Sequence, residues 1–425
     1  MGSPPSAGLS KPTGETHMAT FSLTGGLKGL RILDVSQALA GPFCTQMLAD
    51  HGADVVKVEP PEGEMARRVG PFTQDDTVRA YGGMFQCCNR NKRGIALDLK
   101  HPEGREIFLK MAESADAVVE NFRVGVMDRL GLGYETLAER NPRLVYTSIR
   151  GFGDPRGGRS PYADWPAVDI VSQAMGGLMG LTGPDAHTPI KVGAGPGDAI
   201  PGLFAAYATM VALWEARTSG KGQYVDVGMI DSVLAFCEPV TNIYSYLDKV
   251  PGPVGNRNPE ISPMGAVRAK DGWVAIAVPP GRIWEIFCQA IGRPELIKDP
   301  RFATERARVE NTDEVYAVVE DFTLRHTKAE LSAILGGKVP FGPVYDAADI
   351  FADPHYQIRD MLPQVEQPGS ARRVTVPGVP PKLTRTPGGV HVRAPLLGEH
   401  TDEVLAALGF GEEQLTQLRK SGAIA

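Results

Sequence analysis

Between Leu30 and Ile149, apolar runs of strand length alternate with stretches of helical periodicity. Leu30-Arg-Ile-Leu-Asp-Val-Ser36 has the character of a short buried strand, and the stretch opening at Ala40-Gly-Pro-Phe carries Phe43, Met47 and Leu48 on one side of a helix that Gly52 ends. Ala53-Asp-Val-Val-Lys-Val-Glu59 then supplies a second strand, closed by Pro60-Pro61. A helix between two strands is the crossover that parallel pairing requires. The cycle repeats with Arg93-Gly-Ile-Ala-Leu-Asp-Leu99, a helix started by Pro102 and carrying Ile107, Phe108 and Met111, and the strand Ala117-Val-Val-Glu-Asn121. It turns a third time with a helix over 134–140, stopped by Asn141-Pro142, and the strand Leu144-Val-Tyr-Thr-Ser-Ile149. Such alternation predicts an α/β fold: a Rossmann-like large domain with a parallel sheet between helices, which binds ligands beyond the carboxyl ends of its strands. Residues 36–41, 59–68, 121–129 and 150–154 are therefore expected around one crevice.

Farther on, 151–162 is a Gly-, Pro- and Arg-rich loop, and helices are expected over 169–178 and 201–217. From about Val250 the character changes. Val267 to Ala277 is a hairpin with Asp271-Gly272 at its turn, followed by helical stretches over 283–291 and 314–335, which predicts a smaller α+β domain. The expected organisation is a disordered leader or tag at 1–22, the large domain over 23–235, the small domain over 236–340, and a return to the large domain with a C-terminal arm over 341–425. Residues 1–22 are rich in Ser, Gly, Pro and Thr and lack a signal-peptide core.

Net charge is −6 with both signs mixed along 425 residues, which recommends neither nucleic acid nor an anionic membrane as partner. The longest strongly apolar run, 204–214, is shorter than a bilayer span and is expected as a buried helix. Five scattered cysteines fit a reducing, cytoplasmic setting, and neither they nor the eight histidines have metal-ligand spacing, so no metal is expected.

The densest chemical signal is Val192-Gly-Ala-Gly-Pro-Gly-Asp198-Ala-Ile-Pro-Gly202, a glycine run ending in a carboxylate ahead of an apolar helix. Glycines there can admit a substrate to the backbone, and a helix N-terminus favours the Asp198 anion. On local sequence alone an Asp in that place is an N-cap first and a catalyst second. Gly193, Gly195 and Gly197 imitate a dinucleotide loop, but the third glycine is misplaced and a long helix follows in place of a second strand with its acid. Asp169 is a second carboxylate, either a cap or an acid-base partner of Asp198. Lys57, Arg67, Arg68, Lys92, Lys100, Arg123 and Arg129 are cations at the expected crevice that can hold the phosphates of a nucleotide-like ligand. Arg257, in a turn-rich segment, can meet a substrate carboxylate.

These residues resemble CoA-transferase family III, which includes formyl-CoA, carnitine-CoA and succinyl-CoA dependent transferases and the 2-methylacyl-CoA racemases. The resemblance runs from Leu27 onward. It is carried by Ala40-Gly-Pro with Gly52-Ala-Asp-Val-Val-Lys-Val-Glu59, by Asn89-Arg-Asn-Lys-Arg-Gly-Ile-Ala-Leu-Asp-Leu-Lys100, by Glu120-Asn-Phe-Arg-Val-Gly125, by Ser219-Gly-Lys-Gly-Gln223 and by Arg393-Ala-Pro-Leu-Leu-Gly-Glu-His-Thr-Asp-Glu-Val404. It implies that Asp198 is the covalent carboxylate; Asp169 is a second candidate catalytic residue on its own position, with the cap still open. It also implies coenzyme A contacts from Ala38, Leu39, Ala40, Leu97, Lys100, Asn121, Phe122, Arg123 and Arg129, and an interlocked, ring-like homodimer; Gln37 and Arg257 are the candidates for substrate contact. Coenzyme A enters as part of the substrate, a carboxylic acid accepts it, and no tightly bound cofactor is implied.

Two departures narrow the chemistry. Formyl-CoA/oxalate enzymes carry Gln where Leu39 stands and Arg where Pro60 stands, together with a glycine-rich flap that is not found near 256–263. This counts against oxalate. Racemases carry His immediately before the position of Asp169, and here that residue is Val168. The expected activity is CoA transfer from an acyl-CoA, with succinyl-CoA as the plausible donor, to a small carboxylic or dicarboxylic acid; a 2-methylacyl-CoA racemase and a non-catalytic CoA-binding protein are the alternatives.

Overall fold

The computed structural model describes residues 24–425, so the leader expected at 1–22 lies outside them. Two compact units emerge, one from residues 24–172, 195–236 and 357–425 and the other from 173–194 and 237–356. The second thus takes in the segment 173–194 from ahead of the long helix, as well as the later block.

The first unit is built on six parallel strands: β1 (Arg31–Asp34), β2 (Asp54–Glu59), β3 (Arg93–Ala96), β4 (Ala117–Glu120), β5 (Val145–Arg150) and β6 (Tyr224–Gly228), in the order β3-β2-β1-β4-β5-β6. This is the doubly wound order of a Rossmann-like sheet. Five strands fall where the apolar runs predict them; β6, Tyr-Val-Asp-Val-Gly, is an addition that pairs with β5. Every residue of β2, β3, β4 and β5 is buried, as a parallel sheet covered on both faces demands.

One face packs on Ile107, Phe108 and Met111 of the Pro102–Ala112 helix, and also on Val404, Leu405, Leu415 and Leu418 from the helices Thr401–Ala407 and Glu412–Ser421. The chain end therefore returns to the sheet, where Leu97 bridges to Ile424. The other face packs on the helices Ala40–Asp50 and Pro196–Ser219 through Cys44, Leu48, Ala205, Ala212 and Leu213. Thr209 and Thr147 share a hydrogen bond of 2.7 Å there.

The helix Pro196–Ser219 has 24 residues, more than twice the apolar run 204–214, and is long and apolar enough to cross a membrane. Its small residues face the sheet. Leu203, Tyr207, Val211 and Trp214 form an exposed stripe on its other side.

In the second unit, β7 (Met264–Ala269) and β8 (Gly272–Ala277) form the expected antiparallel hairpin, and β9 (Phe341–Pro343) adds a third strand. Lys270 and Asp271, not Asp271 and Gly272, span the turn. Val267, Val274, Trp284, Phe287, Tyr316 and Leu331 make a separate core. The helical stretch expected over 314–335 is two helices, Thr312–Thr323 and Lys328–Leu335, because Thr327 and Glu330 form a capping box that starts the second afresh.

Candidate active site

The strand order reverses between β1 and β4. In a sheet of this order ligands bind outside the carboxyl ends of the strands at that switch point, where the loops leaving β1 and β4 lie side by side. Gln37, Ala38 and Leu39 follow β1, and Asn121, Phe122 and Arg123 follow β4, so the structure brings these six sequence-predicted residues to one place. Two hydrogen bonds join the loops. Gln37 N–H donates to Asn121 Oδ1 at 2.8 Å, and Asn121 Nδ2 donates to the Gln37 carbonyl at 2.8 Å. The neighbouring N–H groups of Ser36 and Ala38 donate to Asp34 Oδ1 at 3.0 Å and Glu64 Oε2 at 2.7 Å, while Lys57 Nζ donates to the Ser36 carbonyl at 2.8 Å. These backbone groups are thus satisfied inside the protein. The Ser36, Gln37 and Ala38 N–H groups are therefore taken and do not serve a ligand.

Three of the seven candidate phosphate ligands are committed elsewhere. Lys57 is fully buried against Glu64, Arg67 is buried in a fork with Glu59 at 2.6–2.7 Å, and Lys92 is buried on Asp34 at 2.8 Å. A buried cation takes a buried acid as partner, because an unpaired one is too costly to desolvate. The motif Asn89–Arg93 plays the same structural part, since Arg90 and Asn91 hold Asp50, Lys92 holds Asp34, and Arg93 holds Asp54. Arg68, Lys100, Arg123 and Arg129 are the exposed cations of the set. Ala40 and Leu97 are also placed differently from a ligand contact by side chain: Ala40 is the buried first residue of its helix, and Leu97 is 1% exposed in the core behind β3. Arg257, in the second unit, pairs with Asp313 at 2.8 Å and lies over the Tyr316 ring at 4.2 Å.

Asp198 is not a helix cap. The helix starts inside the glycine run, with Gly195 as N-cap at φ +68°, so Asp198 is its third residue. Among the described residues no donor hydrogen-bonds its carboxylate, and burial together with the negative charge of Asp169 pushes its pKa up to about 6. Asp169, first residue of the Asp169–Met175 helix, reaches across 28 positions of chain to accept the Gly197 N–H at 2.8 Å.

Two glycines of this run, Gly197 and Gly202, serve chain packing, whereas a Cβ on Gly193 would meet nothing within 4 Å. A Cβ on Gly197 would lie 2.2 Å from the Asp169 carbonyl, and one on Gly202 would lie 2.7 Å from the Ala40 carbonyl. The second contact seats the helix against the start of Ala40–Asp50, about one turn of helix, roughly 6 Å along the axis, from Asp198. The carboxylate pair and the switch-point loops therefore belong to one neighbourhood. Gly197→Ala is expected to push the first turn off Asp169 and lower kcat by on the order of 100-fold, since a displacement near 1 Å has that effect on a reacting group. Steady-state kinetics beside a folding check by circular dichroism tests this.

A carboxylate with a raised pKa at a Rossmann-like switch point is a nucleophile's setting, and comparison with known proteins fixes the family. The family III CoA-transferase profile matches residues 27–401. The chain belongs to CoA-transferase family III. It is 44% identical to the succinyl-CoA:mesaconate CoA-transferase of Haloarcula hispanica over 91% of this chain and 97% of that protein. It is 35% identical to the succinyl-CoA–D-citramalate CoA-transferase of Chloroflexus aurantiacus, over 94% and 98% of the two chains. Among solved structures, a CaiB/BaiF family protein from Brucella suis superposes with TM-score 0.80 at 35% identity, covering 91% of this chain and all of that one. As a family III member the chain is a CoA-transferase that works on CoA thioesters.

Glu64 and Glu120, which the local sequence does not single out, also touch the crevice loops. Glu64 falls in the segment 59–68 and Glu120 opens the Glu120–Gly125 motif, yet nothing in their spacing signals which backbone either will meet.

Proposed function

We propose that this CoA-transferase moves CoA from succinyl-CoA to a small dicarboxylic acid of the mesaconate type, with Asp198 as the covalent carboxylate. The observation that carries the reading is the half-buried Asp198 carboxylate, which has no hydrogen-bond donor among the described residues and lies beside Asp169. A carboxylate in water is a weak nucleophile; one stripped of donors and raised in pKa is stronger. Its oxygen attacks the thioester carbonyl of succinyl-CoA, forming a succinyl–aspartyl anhydride and releasing CoA thiolate. The thiolate attacks the aspartyl carbonyl, which expels succinate and leaves an aspartyl–CoA thioester. The acceptor carboxylate repeats the two steps in reverse, forming an anhydride with Asp198 as thiolate leaves, and thiolate then attacks the acceptor carbonyl to give the new thioester and free Asp198. Bond energy is conserved through each exchange provided water is excluded.

Gln37, Ala38, Leu39, Asn121 and Phe122 shape the CoA site in this reading, and the exposed Arg123, Arg129 and Lys100 meet its phosphates. Asp169 holds the first turn of the Asp198 helix through Gly197. Arg257, already clamped by Asp313 and Tyr316, presents a preset guanidinium to a second carboxylate. The enzyme acts as a homodimer, interlocked as the family resemblance implies, with the Leu203, Tyr207, Val211 and Trp214 stripe covered by the partner copy. It acts in the reducing cytoplasm, where its five free cysteines persist.

Incubation with succinyl-CoA alone should leave a CoA or succinyl adduct on the Asp198 peptide by mass spectrometry, and succinyl-CoA with mesaconate should yield the new thioester. Absence of any adduct, with exchange intact, removes Asp198 from the mechanism; an unchanged rate across monocarboxylic and dicarboxylic acceptors removes the dicarboxylate preference. Sedimentation showing only monomers at catalytic concentration removes the dimer.

The pH profile follows from the same carboxylate. The nucleophile must be ionised, so kcat/KM should fall as pH drops through about 6. Asp169→Asn keeps an oxygen for the Gly197 N–H but removes the charge that helps raise the Asp198 pKa. The acid limb should then move to lower pH, and a limb that stays in place would show that burial alone sets it.

A further inference from the structure

We infer that Glu64 and Glu120 are positioning residues that set the two crevice loops for the CoA moiety, each through one backbone N–H. The inference rests on the proposed CoA site at the switch point. Both glutamates have fully buried side chains and are built alike. Glu64 takes the Ala38 N–H on Oε2 at 2.7 Å, and its Oε1 lies 3.1 Å from Lys57 Nζ. Glu120 takes the Phe122 N–H on Oε2 at 2.7 Å, and its Oε1 accepts from Arg150 Nη2 at 2.8 Å. In each case one oxygen faces a buried cation, which neutralises the acid and fixes its place, and the other oxygen is left to grip a loop.

The grip acts at a point where the chain resists it. Ala38 is held at φ +61°, a left-handed conformation that a residue with a Cβ seldom adopts unless its surroundings enforce it. Three side chains from three different elements enforce it here: Asp34 on Ser36, Asn121 on Gln37 and Glu64 on Ala38. Gly41 completes the fold of the loop, since a Cβ there would come within 2.2 Å of Ser36 Cβ. A loop whose Ser36, Gln37 and Ala38 N–H groups are engaged inward cannot reshape itself around a phosphate as a free glycine loop can. Its value to a ligand is a fixed contour for the adenosine or pantetheine portion of CoA, already set before binding. Phe122 is oriented on the opposite wall by the same device.

Kinetic analysis separates positioning from mere support of the fold. Glu64→Asp retains the charge beside Lys57 but withdraws the oxygen from Ala38 by one methylene, and Glu64→Gln retains an oxygen for Ala38 but loses the charge. The expected result for Glu64→Asp and Glu120→Asp is a KM for succinyl-CoA raised about tenfold or more, with kcat and the KM of the acceptor acid each within about twofold. Glu64→Gln should lower the melting temperature while keeping the CoA KM within about threefold of wild type. Arg123→Ala, measured in parallel, reports on the CoA site itself. If it raises the CoA KM while the Asp variants leave it unchanged, the positioning role is wrong and the site stands. If none of the three moves the CoA KM, the site and the inference fall together. A Glu64→Asp variant that loses kcat and both KM values in proportion to its melting temperature assigns Glu64 to the fold alone.

Discussion

Asp198→Asn should abolish CoA transfer, with kcat lowered by roughly a thousandfold or more, while the protein becomes more stable at neutral pH. The first effect follows from the loss of the proposed nucleophile, since an amide forms no anhydride. The second follows from linkage. The folded-state pKa of Asp198 is raised from an ordinary 3.8 to about 6, by burial first and by Asp169 second. A carboxyl whose pKa is raised by folding supports the fold fully below its unfolded pKa and loses that support as pH rises through the folded pKa. At pH 7.5 the ionised side chain is therefore a net burden. A rise of that size corresponds to about 3 kcal/mol as a ceiling, and partial contact with solvent reduces this to about 1–2 kcal/mol. Thermal melts of wild type and variant at pH 7.5 and pH 4 check it: the gain should be present at the first and absent at the second. Asp198→Ala should lose activity equally, and a variant that retained substantial turnover would end the covalent mechanism.

Lys92→Met should destabilise the first unit by about 3–5 kcal/mol, on the order of 10 °C in melting temperature, without any role for Lys92 in binding. Lys92 Nζ is surrounded by Asp34 Oδ2 at 2.8 Å, Asn89 Oδ1 at 2.9 Å and the Pro42 carbonyl at 3.0 Å. Asp34 in turn accepts from Ser36 N–H and the hydroxyls of Ser36 and Thr45. Removing the cation leaves a fully buried carboxylate with far less compensation. Burial works against the Asp34 charge, yet Lys92 and Lys57 outweigh it and hold the carboxyl well below the usual carboxylate range. Its contribution is therefore present above pH about 4 and is lost as pH falls below that, which makes Asp34 one origin of acid unfolding. The double variant Asp34→Asn, Lys92→Met should recover most of the loss, because it removes the orphaned charge while the amide oxygen still accepts from Ser36 and the amide N–H can donate to the Thr45 hydroxyl. Denaturant titration of the three variants reads this directly; equal losses in the single and double variants would contradict it.

The element pattern was legible because buried parallel strands are continuous apolar runs and their crossover helices show a different period. Five strands of the sheet, the helix from Ala40 and the crevice loops follow from that. β6 was not, since Tyr224 and Asp226 interrupt its apolar character and only pairing with β5 makes it a strand. The break at Leu324 to Thr327 escaped because two consecutive amphipathic helices share one periodicity and differ only in a cap. Asp198 was legible as a residue worth attention, yet its place in the helix was not: the glycine run looked like a loop, whereas Gly195 caps a helix that begins at once.

By itself the sequence determined the α/β class, the switch-point loops and the family, since these depend on local periodicity and on short motifs. The tertiary structure alone decided which charges remain available to a ligand. Lys57, Arg67 and Lys92 look like phosphate ligands in sequence, and Glu64 looks like nothing in particular. Burial reverses both readings, because a charge removed from water must find its counter-charge inside the protein, and that partner comes from wherever the fold brings one.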